Sequence, residues 1–304
     1  MSNPIHSTSA KSVLPMLAMR GLATGLCAGC VVGLLRLSHD RAAARVALWL
    51  EEWREVWWTV PIWFGVLVAL AVILRRIVRE EPLISGSGIP QTELALAGRL
   101  SFTWWRVLLA KFLGSWLALF GGLALGREGP SIQMGGAVGA GFHALWRPAA
   151  PHALTGSPYV VAGAVAGLAA AFGAPAAGVL FAFEEMKSRR DTSLMVAACA
   201  SAIGAHLMIR LVFSMGRILP FAGFEAPPLS SFWIVALEGA VFGVLGVGYN
   251  KTLLWLHDRE AGQTLIPDRW RALPPLLLAG CLALFAPLLI GGGESLIIFV
   301  GEHD

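Results

Sequence analysis

The sequence predicts an all-α, polytopic membrane protein, and three observations lead to this fold class. Hydrophobic residues make up 56% of the 304 residues and charged residues only 14%, which is too little charge to cover a soluble domain. Several apolar runs reach the roughly 20 residues that a helix needs to cross a bilayer core. The chain also has 35 glycines, which let membrane helices approach closely, and 12 tryptophans, which suit membrane interfaces.

Six apolar runs are long enough to predict membrane-spanning helices: residues 13–37, 57–78, 104–125, 192–215, 232–255 and 271–290. Four pieces between them are too short, or too rich in glycine and proline, for simple spans: residues 85–97, 129–146, 160–171 and 175–183. Broken helices are tolerated at membrane depth where their freed backbone faces protein or a polar cavity. In transporters they direct their ends at the substrate, so the pattern favours transport over a plain anchor.

The distribution of basic residues predicts the orientation. One cluster follows the second span and another follows the short run that ends at Glu185; their members are Arg75, Arg76, Arg79, Lys187, Arg189 and Arg190. The positive-inside rule places both clusters in the cytoplasm. The links at residues 40–55 and 224–228 lack such a basic excess and are predicted to lie outside.

Composition also excludes some classes of protein. The net charge of +4 comes from basic residues scattered between apolar runs, and a basic stripe with interleaved aromatics, as in nucleic-acid-binding proteins, is missing from the sequence. Cys27 and Cys30 form one C-x-x-C pair, but without a second pair or a nearby histidine they are interpreted as helix-packing residues. We therefore expect no metal, no cofactor and no nucleic-acid partner.

The first candidate motif is Gly86-Ser87-Gly88-Ile89-Pro90, just before a short helix. Glycines let backbone N–H groups converge on a ligand, and proline is well tolerated in the first helical turn. A helix start carries partial positive charge and free N–H donors, which together can hold an anion. Ser87 adds a hydroxyl donor. The alternative is an ordinary tight turn between helices.

The second candidate motif is Gly126-Arg127-Glu128-Gly129-Pro130, again at a helix start. A carboxylate between apolar segments is costly and is a candidate functional group. Glu128 could itself occupy an anion site at the helix start, and protonation would free that site. The motif then predicts a gate that moves a proton and competes with the anion. The alternative is a helix-capping carboxylate paired with Arg127.

The third candidate is the pair Glu184 and Glu185, at the predicted cytoplasmic end of a short apolar helix that starts after Gly173. Adjacent helical residues point about 100° apart, so one carboxylate can be buried and collect protons while the other pairs with a basic residue. The alternative is a solvated helix end beside Lys187.

Together the three motifs resemble the CLC family of chloride channels and exchangers, over nearly the whole chain from about residue 15 to Gly293. The resemblance implies an inverted-repeat membrane bundle, a homodimer, and chloride and protons as transported ions. It implies that Ser87 contacts chloride, that Glu128 is the external gate, and that Glu185, supported by Glu184, relays protons inside. Glutamate at the internal position is typical of exchangers, and serine in the first motif fits chloride. Lys111 and Arg127 either raise the local positive potential or form ordinary ion pairs.

The resemblance also implies two halves of opposite topology. Residues 14–216 match the first repeat and residues 229–304 the beginning of the second, without the family's later Gly-x-Phe-x-Pro motif or its late tyrosine. Part of the anion's donors would then be missing, so we expect these 304 residues alone not to transport. We also expect a bacterial-type inner or cell-membrane location.

Several alternatives stay open from the sequence alone. A passive chloride channel of the same family, a fluoride exporter and a transport-inactive membrane regulator are the nearest ones. An intramembrane serine protease with Ser87 as nucleophile and His206 as base is a more distant one, since residue 85 is serine rather than the first glycine of Gly-x-Ser-Gly.

Overall fold

The structure is a computed structural model that describes residues 5–54, 56–123, 125–186, 191–216, 228–262, 265–286, 293 and 296–297. This part of the chain is helical and has no β-strand, which confirms the predicted fold class. Its helices in chain order are α1 (Ile5–Arg54), α2 (Thr59–Glu80), α3 (Ile89–Leu96), α4 (Trp104–Phe120), α5 (Glu128–Trp146), α6 (Pro158–Phe172), α7 (Pro175–Glu184), α8 (Thr192–Leu207), α9 (Phe232–Gly262) and α10 (Leu273–Phe285).

Within the described residues, four helical segments are long and apolar enough to cross a membrane: Val13–Ala42, Thr59–Glu80, Thr192–Val212 and Leu229–Arg259. They agree with four of the six predicted spans. The third of these segments ends in a π-helical turn, Met208–Val212, that continues α8. The chain is therefore an integral membrane protein by composition, helix length and apolarity.

Two boundaries differ from the sequence prediction. Helix α1 is 50 residues long and runs through the predicted outer link at 40–55, because that link is rich in Ala, Leu, Arg and Glu and holds neither Gly nor Pro. Helix α4 has 17 residues instead of a full span, since Gly121 and Gly122 follow it and Gly122 has φ +77°. Helix α5 agrees with the predicted piece 129–146, since it starts one residue earlier and ends at the same residue.

Part of the last predicted span, 271–290, lies outside the described residues. What the structure describes of it is α10, with 13 residues. The predicted basic cluster at 187–190 is also outside the described part of the chain.

Helices α5 and α6 are in backbone contact along a stripe of small residues. A Cβ atom on Gly163 would collide with the carbonyl oxygen of Gly135, and a Cβ on Gly135 would collide with that of Gly163. The same contact recurs one turn along, where Gly167 meets the backbone of Ser131. Small residues four apart lie on one helix face, so this stripe brings the two helix axes close together.

A second pair of small-residue stripes joins α1 to α8. The glycines of α1 lie against backbone atoms of α8 in three successive turns, as Gly21 with Ala197, Gly25 with Ser201, and Gly29 with Ala205. The Ser201 hydroxyl also donates a hydrogen bond of 2.7 Å to the carbonyl of Ala162 on α6. Helix α6 is thereby enclosed, and Tyr159–Ala171 are buried throughout. An all-apolar helix of this kind belongs at the centre of a bundle.

Helices α2 and α10 form a separate packed group with the end of α4, around Trp63, Leu67 and Leu276. In contrast, every described side chain of Phe232–Arg259 in α9 is exposed. Cβ atoms on Gly239 and Gly243 would meet nothing within 4 Å. In a bilayer the apolar surface of α9 would contact lipid or another protein surface.

Candidate functional site

The first motif forms a tight turn that starts α3. Gly86 has φ +72° and Gly88 has φ +94°, a left-handed backbone that glycine adopts without a Cβ penalty. Gly88 is the N-cap of α3, and Pro90 lies in its first turn. The N–H of Ile89 donates to Ser87 Oγ at 3.3 Å. Because Ser87 Oγ accepts this bond, its O–H remains free to donate to a ligand.

The second motif starts α5. Arg127 is the N-cap and Glu128 the first helical residue, so the carboxylate lies where the helix dipole favours negative charge. Glu128 is half-buried, and its carboxylate folds back over Gly126, where a Cβ atom would collide with Glu128 Oε2. Arg127 is 8% exposed, and its Nη1 lies 3.6 Å from Oδ1 of Asp40 on α1.

The two motifs are in direct contact. A Cβ atom on Gly129 would lie 2.6 Å from the carbonyl oxygen of Ser87 and 2.8 Å from its Cβ. Both motifs line one cleft of about 560 Å³. Six of the ten predicted residues line it, namely Gly86, Ser87, Gly126, Glu128, Gly129 and Pro130. Of the other four, Gly88, Ile89 and Pro90 form the turn and start of α3, and Arg127 caps α5.

Lys111 of α4 binds the backbone of the first motif and of the segment before it. Its ammonium group donates hydrogen bonds to the carbonyl oxygens of Ile84, at 2.8 Å, and Gly86, at 2.7 Å, and the residue is only 4% exposed. These bonds fix the direction of two backbone carbonyls, and Lys111 itself lines the cleft, so its positive charge lies at the cleft wall. From the sequence, Lys111 was expected either to raise the local positive potential or to form an ion pair. In the structure its ammonium group binds the backbone of the turn.

Gln133 is a buried residue of the site that the sequence reasoning missed. It is 3% exposed, and its Nε2 donates to the carbonyl of Leu83 at 2.8 Å. Its side chain fills the space beside Gly88, where a Cβ atom would lie 2.6 Å from Gln133 Cβ. The available signal was a polar amide side chain five residues after Glu128, among the mostly small or apolar residues of α5.

Replacing Lys111 with methionine is expected to lower the free energy of unfolding by about 2 kcal/mol, because two charge-assisted hydrogen bonds are lost and two carbonyls lose their partner. Part of that loss is offset because a buried charge no longer has to be desolvated. Thermal unfolding in detergent measures the change, with Lys251→Met on exposed α9 as the matched control. Equal stability of the two variants would show that Lys111 does not hold the turn.

The third candidate pair lies apart from this cleft. Glu184 is the last residue of α7 and Glu185 follows it; both are exposed, and neither lines the cleft. His206, the base in the protease alternative, lies on α8 and does not line the cleft of Ser87 either.

The comparison with known proteins covers the part of the chain that carries both motifs. The family model described as voltage gated chloride channel matches residues 65–301. The chain belongs to the voltage-gated chloride channel (CLC) family. Among curated CLC proteins, it is 36% identical over 283 residues to the H(+)/Cl(-) exchange transporter ClcA of Vibrio cholerae, covering 90% of this chain and 60% of that protein. The ClcA protein of Vibrio vulnificus is 33% identical over 305 residues, covering 96% and 63%.

Solved CLC structures have the same fold. A slow cyanobacterial Cl-/H+ antiporter superposes with a TM-score of 0.80 at 28% identity, covering 92% of this chain and 67% of that one. A CLC-type fluoride/proton antiporter superposes with a TM-score of 0.67 at 18% identity, which shows the fold alone. The chain spans about 60% of the length of the curated CLC relatives it matches.

Proposed function

We propose that this CLC chain serves proton-coupled chloride exchange across a cell membrane, with the cleft between Ser87 and Glu128 as its anion site. The observation that carries the proposal is the contact of Gly129 with the backbone of Ser87, since it joins two helix starts in one cleft. Helix starts stabilise an anion with N–H donors and partial positive charge, and the anion needs no full countercharge.

Within this site each residue has a distinct role. The Ser87 hydroxyl donates to chloride, while Gly86 and Gly88 hold the turn in the left-handed conformation that presents it. The Glu128 carboxylate competes with chloride for the start of α5 when ionised and leaves when protonated. One group thereby couples the proton to the anion, since the site cannot hold both negative charges.

The internal proton pathway is assigned by the resemblance to exchangers and by the exposure of α7's end. Glu185 takes up protons at the cytoplasmic surface, with Glu184 beside it in support. By the positive-inside rule the arginines at the end of α2 favour a cytoplasmic location for that helix end, and the family resemblance implies that the end of α7 lies on the same side. We further propose a multi-pass location in a bacterial-type inner or cell membrane, and a homodimer, as the family resemblance implies.

The exchange proposal is tested in proteoliposomes that contain the product of the complete open reading frame. Under a chloride gradient, chloride efflux and proton uptake are recorded together with a chloride electrode and a pH electrode. Coupled movement of both ions supports exchange. Dissipation of the chloride gradient without proton uptake would assign the protein to the passive channels instead. An absence of both fluxes in folded protein would assign it to the transport-inactive regulators.

Replacing Glu185 with glutamine is expected to reduce proton uptake at least about tenfold while chloride flux continues, because a neutral amide cannot carry the proton. Glu238→Gln on exposed α9 is the matched control, since it removes the same charge from a carboxylate outside the proposed pathway. Equal proton uptake in both variants and the unsubstituted protein would contradict the role of Glu185. The measurement is the same paired-electrode recording.

A further inference from the structure

A second cavity lies at the end of α2 and shares no lining residue with the anion cleft. It has a volume of about 540 Å³ and lies between the last turns of α2 and the segment that leads into α10. Its lining comprises Val72, Arg75, Arg76, Arg79, Pro267, Asp268 and Arg269. Four arginines therefore face one carboxylate, and the cavity carries a strong excess of positive charge.

The ion pairs of the cavity leave part of this charge unmatched. Arg75 pairs with Asp268, and the Arg75 guanidinium holds the pKa of that carboxyl below its usual range through a direct hydrogen bond. Arg76 lies 3.9 Å from Glu80, with both side chains largely exposed. Arg79 and Arg269 have no carboxylate within ion-pair distance among the residues the structure describes.

The position of the cavity indicates which kind of anion can reach it. The arginines follow the apolar part of α2 directly, so they lie at the membrane boundary, on the side predicted to be cytoplasmic. Val72 and Pro267 add an apolar wall beside the charged one. Trp270 lies next to the cavity, with the guanidinium of Arg269 6.0 Å from its ring centre. Basic pockets between helices on this side suit acidic lipid headgroups.

We propose that this arginine cavity binds a phosphate group, and that the phosphate belongs to the headgroup of an acidic phospholipid of the cytoplasmic leaflet. A guanidinium group can donate two parallel hydrogen bonds to a phosphate. The arginines of α2 and Arg269 line the same cavity, so both can bind one phosphate group. A lipid in this position bridges α2 to the segment before α10, beside the bond from Arg75 to Asp268. The site is separate from the proposed chloride cleft, and its test uses no ion flux.

The test is native mass spectrometry of the purified protein with phosphatidylglycerol, with phosphatidylcholine, or with inorganic phosphate. We expect retention of phosphatidylglycerol and not of phosphatidylcholine. The double variant R79Q/R269Q removes the two unmatched charges and should bind phosphatidylglycerol about tenfold to thirtyfold more weakly. Arg147→Gln, an exposed arginine outside the cavity, is the matched control and should retain the lipid.

A second variant keeps the proposal testable if R79Q/R269Q does not fold. Asp268→Asn removes the carboxylate that competes for Arg75, so it should tighten phosphatidylglycerol binding several-fold. Retention of inorganic phosphate that is lost in the arginine variants would support the phosphate site and assign a soluble ligand to it. Equal binding of both lipids, equal loss in Arg147→Gln, or no tightening in Asp268→Asn would overturn the proposal.

Discussion

Replacing Gly163 with alanine is expected to lower the free energy of unfolding by about 3 kcal/mol, at the upper end of the usual cost of overpacking. The added methyl group would collide with the carbonyl oxygen of Gly135, which is helix backbone and cannot rotate away. Helices α5 and α6 must therefore separate along their whole stripe of small residues. Thermal unfolding in detergent, followed by circular dichroism, measures the loss.

The matched control is Gly243→Ala on α9, where the added methyl group meets nothing within 4 Å. This change is expected to leave stability equal or slightly higher, because alanine favours a helix over glycine. If both substitutions destabilised the protein equally, helix propensity or the membrane environment, and not the close approach of α5 to α6, would explain the effect.

The same substitution tests how packing controls the site. Helix α5 carries Glu128 at its first residue, and its backbone touches Ser87 through Gly129. A shift of α5 away from α6 consequently moves the carboxylate relative to the turn of the first motif. We expect Gly163→Ala to weaken chloride binding even at temperatures where the protein stays folded, whereas Gly243→Ala should not.

Replacing Glu128 with glutamine is expected to abolish proton uptake and to tighten chloride binding on the order of tenfold. The glutamine side chain has nearly the same shape but carries no charge, so it neither transports a proton nor repels the anion at the start of α5. Isothermal titration with chloride in detergent measures the affinity, and the paired electrodes measure the fluxes.

Glu93→Gln serves as the control for Glu128. Glu93 is also half-buried, lies on the short helix α3 and does not line the cleft. Its replacement should leave chloride affinity unchanged. Tighter chloride binding in Glu93→Gln as well would show that overall charge controls affinity, and unchanged proton uptake in Glu128→Gln would remove the proposed gate.

Helix starts are determined locally, which is why the sequence predicted them well. Gly88 and Pro90 start α3, and Glu128 and Pro130 start α5, through conformational preferences that extend over a single turn. Helix ends were predicted less well. Polar residues after position 40 were interpreted as a loop, yet they are good helix formers and continue α1 to Arg54. Hydrophobicity predicts which residues of a helix lie in the membrane, but it does not predict the residue at which the helix ends.

By itself, the sequence determined the membrane-protein class, the all-α fold and the positions of the two glycine-rich helix starts, since composition and local backbone preference are sufficient for these. Only the tertiary structure decided that Gly129 touches Ser87, that Lys111 binds the carbonyls of Ile84 and Gly86, and that Arg75 meets Asp268. These contacts join residues distant in the chain, and they depend on how closely small residues let the helices approach.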